Sequence, residues 1–197
     1  MKTIVWDLDD VLNELTKAWF IGFRRSHPKA KDLDYSGLKK NPPHDVLGIS
    51  HDDFLRSLDD FRRSPEGKNL LPNAEIHQWL EKHGSEFQHI VLTATPAFNA
   101  SQASFWVFTH FGKWIRFFGY VPSPRKDDQF PVYFSSKGDY LKWLGHGDLF
   151  VDDSKQNLQF AEGAGIKTLL FPQPWNDSPF ESISPFLKEL ESILITK

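Results

Sequence analysis

The sequence predicts an α/β fold, a doubly wound parallel sheet with a small helical insertion after its first strand. Three observations carry that prediction. Short apolar, β-branched runs recur along the chain, amphipathic segments at helical spacing separate them, and polar or acidic residues stand where the apolar runs stop. A sheet of this kind is covered by helices on both faces and binds ligands in the crevice at the carboxyl ends of its strands.

Composition permits such a core and narrows the class of protein. At 197 residues, 40% hydrophobic and 25% charged, the chain suits one domain, or one core with an insertion. A net charge of -3 argues against general binding to nucleic acid or to an anionic membrane. The absence of cysteine excludes disulfides, thiolate metal sites and a cysteine nucleophile, and fits a reducing cytoplasm. Met1-Lys2 is followed by too short an apolar run for a secretory signal, and no run approaches the length of a membrane span. A soluble cytoplasmic protein is expected, and nothing in the chain specifies an oligomeric state.

The first strand is the run Ile4-Val5-Trp6, too close to the N-terminus for a helix to precede it. Apolar residues at helical spacing from Val11 to Phe23 predict a helix over 11–26 that Pro28 stops. Residues 28–50, rich in Lys, Asp, Pro and Gly, read as loop with a short helical piece. Ser50 with Asp53 forms a capping-box pattern, and Phe54, Leu55, Leu58 and Phe61 give a helix that ends before Ser64-Pro65. Residues 13–70 therefore read as a helical cap inserted into a core made of residues 1–12 and 71–197.

Asn73 caps the next helix, which ends near Gly84 and leads into the strand His89-Ile90-Val91-Leu92-Thr93. An aromatic helix over 99–114 follows, with Phe98, Phe105, Trp106, Phe108, Phe111 and Trp114 assigned to core packing rather than to base stacking. Residues 116–121 predict a third strand, 122–129 a turn-rich excursion, and 132–134 a fourth short strand. A helix starting at Lys137 ends at the glycines 145–147, and residues 148–153 repeat the opening pattern of a strand running into acids. Ser154 caps a further helix, residues 167–171 form a strand, and 183–193 a closing helix.

Four strand ends or helix starts now carry chemistry: Asp7 and Asp9, then Thr93, then Lys137, then Asp152 and Asp153. Crowded carboxylates repel one another unless a positive charge offsets them, and a hard divalent cation with oxygen ligands does so. Each residue also has a plainer reading. Thr93 and Thr95 can close a turn before Pro96, Lys137 can be a solvated helix-start lysine, Asp152-Asp153 can cap a helix, and Asp10 can be a solvated acid or one that supports the site's ligands from behind. The basic pairs Arg24-Arg25, Lys39-Lys40 and Arg62-Arg63 read as solvated helix faces, with steering of an anionic substrate as the alternative, and the eight histidines show no metal-ligand spacing.

In their order and contexts, these four motifs resemble those of the haloacid dehalogenase-like superfamily. Its pattern is D-x-D-x-[TV], a strand ending in Ser or Thr, a Lys at a helix start, and an acidic pair after a strand. The resemblance implies a Mg²⁺-dependent phosphomonoesterase. Asp7 would be the nucleophile that forms an aspartyl-phosphate. Asp9 would be the general acid and base. Thr93 and the neighbouring Ala94 amide would hold phosphoryl oxygens, and Lys137 would place its charge on Asp7 and the phosphate.

The resemblance also implies a metal held by Asp7, the backbone carbonyl of Asp9 and a carboxylate of the Asp152-Asp153 pair; it favours Asp153 as the direct ligand and Asp152 as a partner through water, and leaves the reverse order open. Asp9 points to phosphate-ester hydrolysis rather than dehalogenation. The opening Asp-Leu-Asp-Asp-Val-Leu, with Leu71-Pro72-Asn73-Ala74, is similar to the 5'(3')-deoxyribonucleotidase branch, from which Asn13-Glu14 and Ala94 depart. The expected partner is a small phosphorylated substrate, a nucleoside monophosphate in the first instance. A phosphosugar, a phosphoprotein or a non-catalytic binding role are the alternatives.

Overall fold

A computed structural model of the chain describes residues 1–195 apart from positions 127 and 130. The chain opens with β1 (Thr3–Trp6) and enters a helical segment of α1 (Leu15–Ser26), α2 (His44–Leu47), α3 (His51–Arg63) and α4 (Pro65–Lys68). It returns through α5 (Ala74–His83) to β2 (Gln88–Thr95), α6 (Ala100–Phe111) and β3 (Ile115–Pro122). It then crosses through α7 (Lys137–Leu144) to β4 (Leu149–Asp152), α8 (Lys155–Gly163), β5 (Lys167–Leu170) and α9 (Ile183–Ile195).

The five strands form one sheet in the order β3-β2-β1-β4-β5, and every pairing is parallel. The chain runs outward from β1 to β3, then returns to the other side of β1 for β4 and β5. The strand order therefore reverses between β1 and β4, and the crevice at their carboxyl ends is the expected ligand site of such a sheet. None of the described helices is long and apolar enough to cross a membrane.

Alternation along each strand builds the two faces. Ile4 and Trp6 of β1, Val91 of β2, and Leu149 and Val151 of β4 pack with α5, α6 and α9 through Ile76, Leu80, Trp106, Phe111, Phe186 and Leu190. On the other face, Val5, Ile90, Leu92 and Phe150 meet α7 and α8 at Leu141, Leu158 and Ala161. The helical segment has its own apolar cluster, with Leu15, Trp19, Phe20, Phe23, Leu47, Phe54 and Leu58 at its centre. It leaves and rejoins the sheet through adjacent connections, since Asn13 bridges to Pro72 and the Asn73 amide donates to the Leu12 carbonyl at 2.8 Å.

The structure departs from the sequence reading at five places. The first helix starts at Leu15 and not at residue 11, because the backbone turns at Asp10, where φ is +65°, and the Leu12 amide closes on Leu8. Val11 and Leu12 are still fully buried, but in the sheet's core and outside a helix. Residues 28–50 hold two short 3₁₀ turns as well as α2. The aromatic helix is shorter than 99–114, ending at Phe111, and only part of its aromatic run is core. Trp106 and Phe111 are buried, whereas Phe98, Phe105 and Phe108 are exposed.

Residues 132–134 form no strand, and β3 is the edge of the sheet among the described residues. Phe134 instead packs on Tyr140 and Trp143. The excursion over 122–129 contains position 127, which lies outside the described residues. The fifth departure is Arg62, which is buried.

Candidate active site

The register of the sheet sets the site. Trp6 pairs with Val91 on one side and Val151 on the other, so Asp7 stands level with Asp152, and Thr93 lies one step further along β2. The Asp7 amide donates to the Val151 carbonyl at 2.9 Å, which continues the ladder to the first acid. Lys137 arrives from the start of α7, whose N-cap Ser136 accepts from the Asp139 amide. Gly138 lets α7 approach α8 closely, since a Cβ there would lie 2.6 Å from the Phe160 Cβ and 2.7 Å from its carbonyl oxygen.

At the centre, the Lys137 Nζ lies 2.7 Å from Asp7 Oδ1 and 2.7 Å from Asp152 Oδ2, with only 2% of its side chain exposed. Asp152 is saturated with donors. Besides Lys137, it accepts from the Ser154 amide at 2.7 Å and from the Asn157 side-chain amide at 3.1 Å to each oxygen. Asp153 accepts from the Trp175 indole at 2.6 Å through Oδ2. Thr93 is buried and its Oγ1 has no hydrogen-bond partner. Ala94 is exposed at the end of β2, which runs on to Thr95.

The electrostatics describe a site short of positive charge. Burial, then the Asp152 charge, push the Asp7 carboxyl well above its ordinary range against the pull of Lys137. Burial, Asp152 and Asp10 raise Asp153 in the same way, with Trp175 opposing. Burial works against the Lys137 ammonium, but Asp152 and Asp7 outweigh it and hold the lysine charged. Burial and the Asp152 charge thus work against the Asp7 carboxylate more strongly than Lys137 supports it. Oxygens of Asp7, Asp152 and Asp153 lie within 4.8 Å of one another, all three residues buried. One ammonium against three carboxylates leaves two negative charges, which a divalent cation balances, and hard oxygen donors suit such an ion. The residues present fit a metal.

Asp9 stands at the rim, 20% exposed, and is held from two sides. The Asn13 side-chain amide donates to its Oδ1 at 3.1 Å, and the Arg62 guanidinium to its Oδ2 at 3.1 Å. Arg62 also donates to Asp59, which is gripped in turn by Arg125 from the segment after β3, at 2.6 and 2.8 Å. The expectation of a solvated Arg62 is corrected: a buried guanidinium is stable only when paired, and Asp9 and Asp59 pair it. Asp10 is also buried, and its carboxylate caps α1 through the Thr16 amide at 2.8 Å and the Thr16 hydroxyl at 2.5 Å. Tyr35 reaches over from the helical segment to Gln173, whose amide donates to the Asp10 carbonyl.

The structure thus joins Asp7, Lys137 and Asp152 by direct contact and brings an Asp153 oxygen within 4.8 Å of the other two acids, with Thr93 one step along β2 and Asp9 at the rim. Sequence reasoning missed Asn13, Asp59, Arg62, Arg125, Asn157 and Trp175. Only Arg62 carried a signal, as one of a basic pair on a helix, and the pattern does not tell a solvated cation from a paired one. His89, by contrast, is a core histidine, bound between the Trp6 indole and the Gly84 carbonyl.

No family model matches the chain, and no curated protein matches it. Solved structures do. A hydrolase from Streptococcus pneumoniae is 15% identical, with 97% of this chain and 100% of that one covered and a TM-score of 0.63. A haloacid dehalogenase-like family protein from the same organism is 14% identical, with 95% and 90% covered and a TM-score of 0.56. The chain has the haloacid dehalogenase-like fold. A haloacid dehalogenase-superfamily hydrolase of subfamily IA from Geobacter sulfurreducens, 13% identical, matches over 96% of both chains with a TM-score of 0.54. Within this fold, the acids and Lys137 occupy the carboxyl edge of the central strands.

Proposed function

We propose that this chain is a Mg²⁺-dependent phosphomonoesterase acting on a small phosphate ester. The observation that carries the reading is the buried Asp7 carboxylate, 2.7 Å from a fully enclosed ammonium and within metal-ligand reach of two further acids. Phosphoryl transfer needs a nucleophile, a proton for the leaving oxygen and positive charge around the equatorial oxygens.

An Asp7 oxygen attacks phosphorus, the P–O bond to the alcohol breaks, and the leaving oxygen takes a proton from Asp9. Water then gives its proton to Asp9 and attacks the same phosphorus, which releases inorganic phosphate and restores Asp7. Lys137 holds Asp7 in place, and the unpartnered Thr93 hydroxyl, with the Ala94 amide, receives a phosphoryl oxygen.

Asp7, the Asp9 carbonyl and Asp153 would hold the metal, which when bound neutralises charge so that an anionic carboxylate approaches an anionic phosphate. Asp153 is assigned as the direct ligand and Asp152 as the partner through water, because Asp152 already accepts from three side or main chains while Asp153 keeps one oxygen without a donor. Residues 13–70 act as the cap over the mouth.

For the substrate, the sequence favours a nucleoside monophosphate. Fold relatives favour a phosphosugar or a related small phosphate. They include a protein from Thermotoga maritima provisionally named a beta-phosphoglucomutase and one from Lactobacillus delbrueckii provisionally named a phosphoglycolate phosphatase. A panel of phosphate esters separates these substrates. A cytoplasmic enzyme without stable nucleic-acid partners completes the reading.

The decisive experiment is hydrolysis of p-nitrophenyl phosphate with Mg²⁺ by the wild type and by Asp7→Asn. Turnover by the wild type, its loss by at least about a thousandfold in the variant and an unchanged fold are expected. Retained turnover would remove Asp7 as the nucleophile.

A further inference from the structure

We propose that the cleft beside Asp9 is a subsite for a carboxylate on the alcohol portion of the substrate, so that the preferred esters carry a second negative charge. The proposal rests on the phosphomonoesterase reading for the word substrate, but not for the existence of the subsite. The cleft is lined by Asp9, Arg62, Lys68, Asn99, Gln102 and Trp106, so the residue assigned to the leaving oxygen forms part of its wall.

Arg62 supplies the recognising chemistry. Its side chain is 9% exposed, with Nη1 donating to Asp59 and Nη2 to Asp9, while its Nε is buried without a hydrogen-bond partner. A buried N–H left unpaired is unfavourable and calls for an acceptor. Nε and Nη2 lie along one edge of the guanidinium, the edge that carboxylates engage with two parallel hydrogen bonds. In this structure only half of that edge is used.

A substrate carboxylate that takes both donors satisfies Nε and frees the Asp9 oxygen that Nη2 now occupies. Arg62 keeps its place in the exchange, because Asp59 holds it from the other side and is itself fixed by two donors of Arg125.

Charge points the same way. Asp9 and Asp59 are balanced by Arg62 and Arg125, and Lys68, at the end of α4, adds a cation with no ion pair among the described residues. The cleft is therefore one positive charge in excess. Asn99 and Gln102 at the start of α6 add amide groups suited to a polar ligand.

Calorimetric titration of the full chain with Mg²⁺ tests the subsite without turnover, using 3-phosphonopropionate against propylphosphonate. The carboxylated ligand is expected to bind about tenfold more tightly or better. Lys68→Gln, at an exposed position, should reduce that ratio, and Arg62→Lys, which keeps the charge but loses the planar edge, should nearly abolish it. Equal affinities in the wild type, or no binding of either ligand, overturn the subsite. Phosphate release from the two matching esters tests the hydrolase reading separately. Discrimination without turnover keeps the subsite and rejects hydrolysis, whereas turnover without discrimination rejects the subsite alone.

Discussion

Asp7 and Asp9 are two residues apart and differ in burial and in the groups that hold them. Asp7 is sealed beneath Lys137, whereas Asp9 sits at the mouth between Asn13 and Arg62. That difference suits one carboxylate to attack and the other to exchange protons with a departing group. If Asp9 protonates the leaving oxygen, Asp9→Asn should lower kcat/KM for an alkyl phosphate by about a hundredfold or more. For p-nitrophenyl phosphate, whose phenolate leaves without help, the loss should stay below about tenfold. Steady-state kinetics on both esters decides, and equal losses would count against Asp9 as the acid.

Among the elements, α7 governs the positive charge of the site. Its first residue is Lys137 and its second is Gly138, whose missing side chain is what allows α7 to lie against Phe160 of α8. A methyl group at that position would overlap both the Phe160 Cβ and its carbonyl, so backbone has to move. Gly138→Ala is expected to destabilise the protein by about 1–3 kcal/mol, the usual range for overpacking. It should also weaken turnover by moving the ammonium away from Asp7. Denaturant unfolding and kinetics on the same preparation check both effects. Unchanged stability would mean that α7 does not need this close approach.

For the whole molecule, the sheet edge collects negative charge at a cost that pH and metal reveal. Burial raises the Asp10 carboxyl to about 7, against the hydrogen bonds from Thr16, and Asp7 and Asp153 are also held above their ordinary range. Between about pH 4 and pH 7 the folded chain therefore binds more protons than the unfolded one, so stability falls as pH rises through that window. In EDTA, the melting temperature should drop from pH 5 to pH 8. Mg²⁺ at pH 8 should restore at least about 4 °C, since a ligand that binds only the folded state stabilises it. Thermal melts with and without the ion are the check, and a flat profile in EDTA would contradict the charge balance drawn here.

The sequence by itself determined the sheet, its helices and the acids, threonine and lysine at its edge. Those signals are local: an apolar run, the residue that ends it, and a cap two or three positions on. Tertiary structure decided what holds these groups. Arg62 meets Asp9 across 53 positions, Arg125 meets Asp59 across 66, and Trp175 meets Asp153 across 22. No periodicity records such pairings, because they exist only once the helical segment and the loops after β3 and β5 have folded over the same edge. The exposed faces of Phe105 and Phe108 were hidden for the same reason, since helical spacing says which residues share a side but not whether a neighbour covers it.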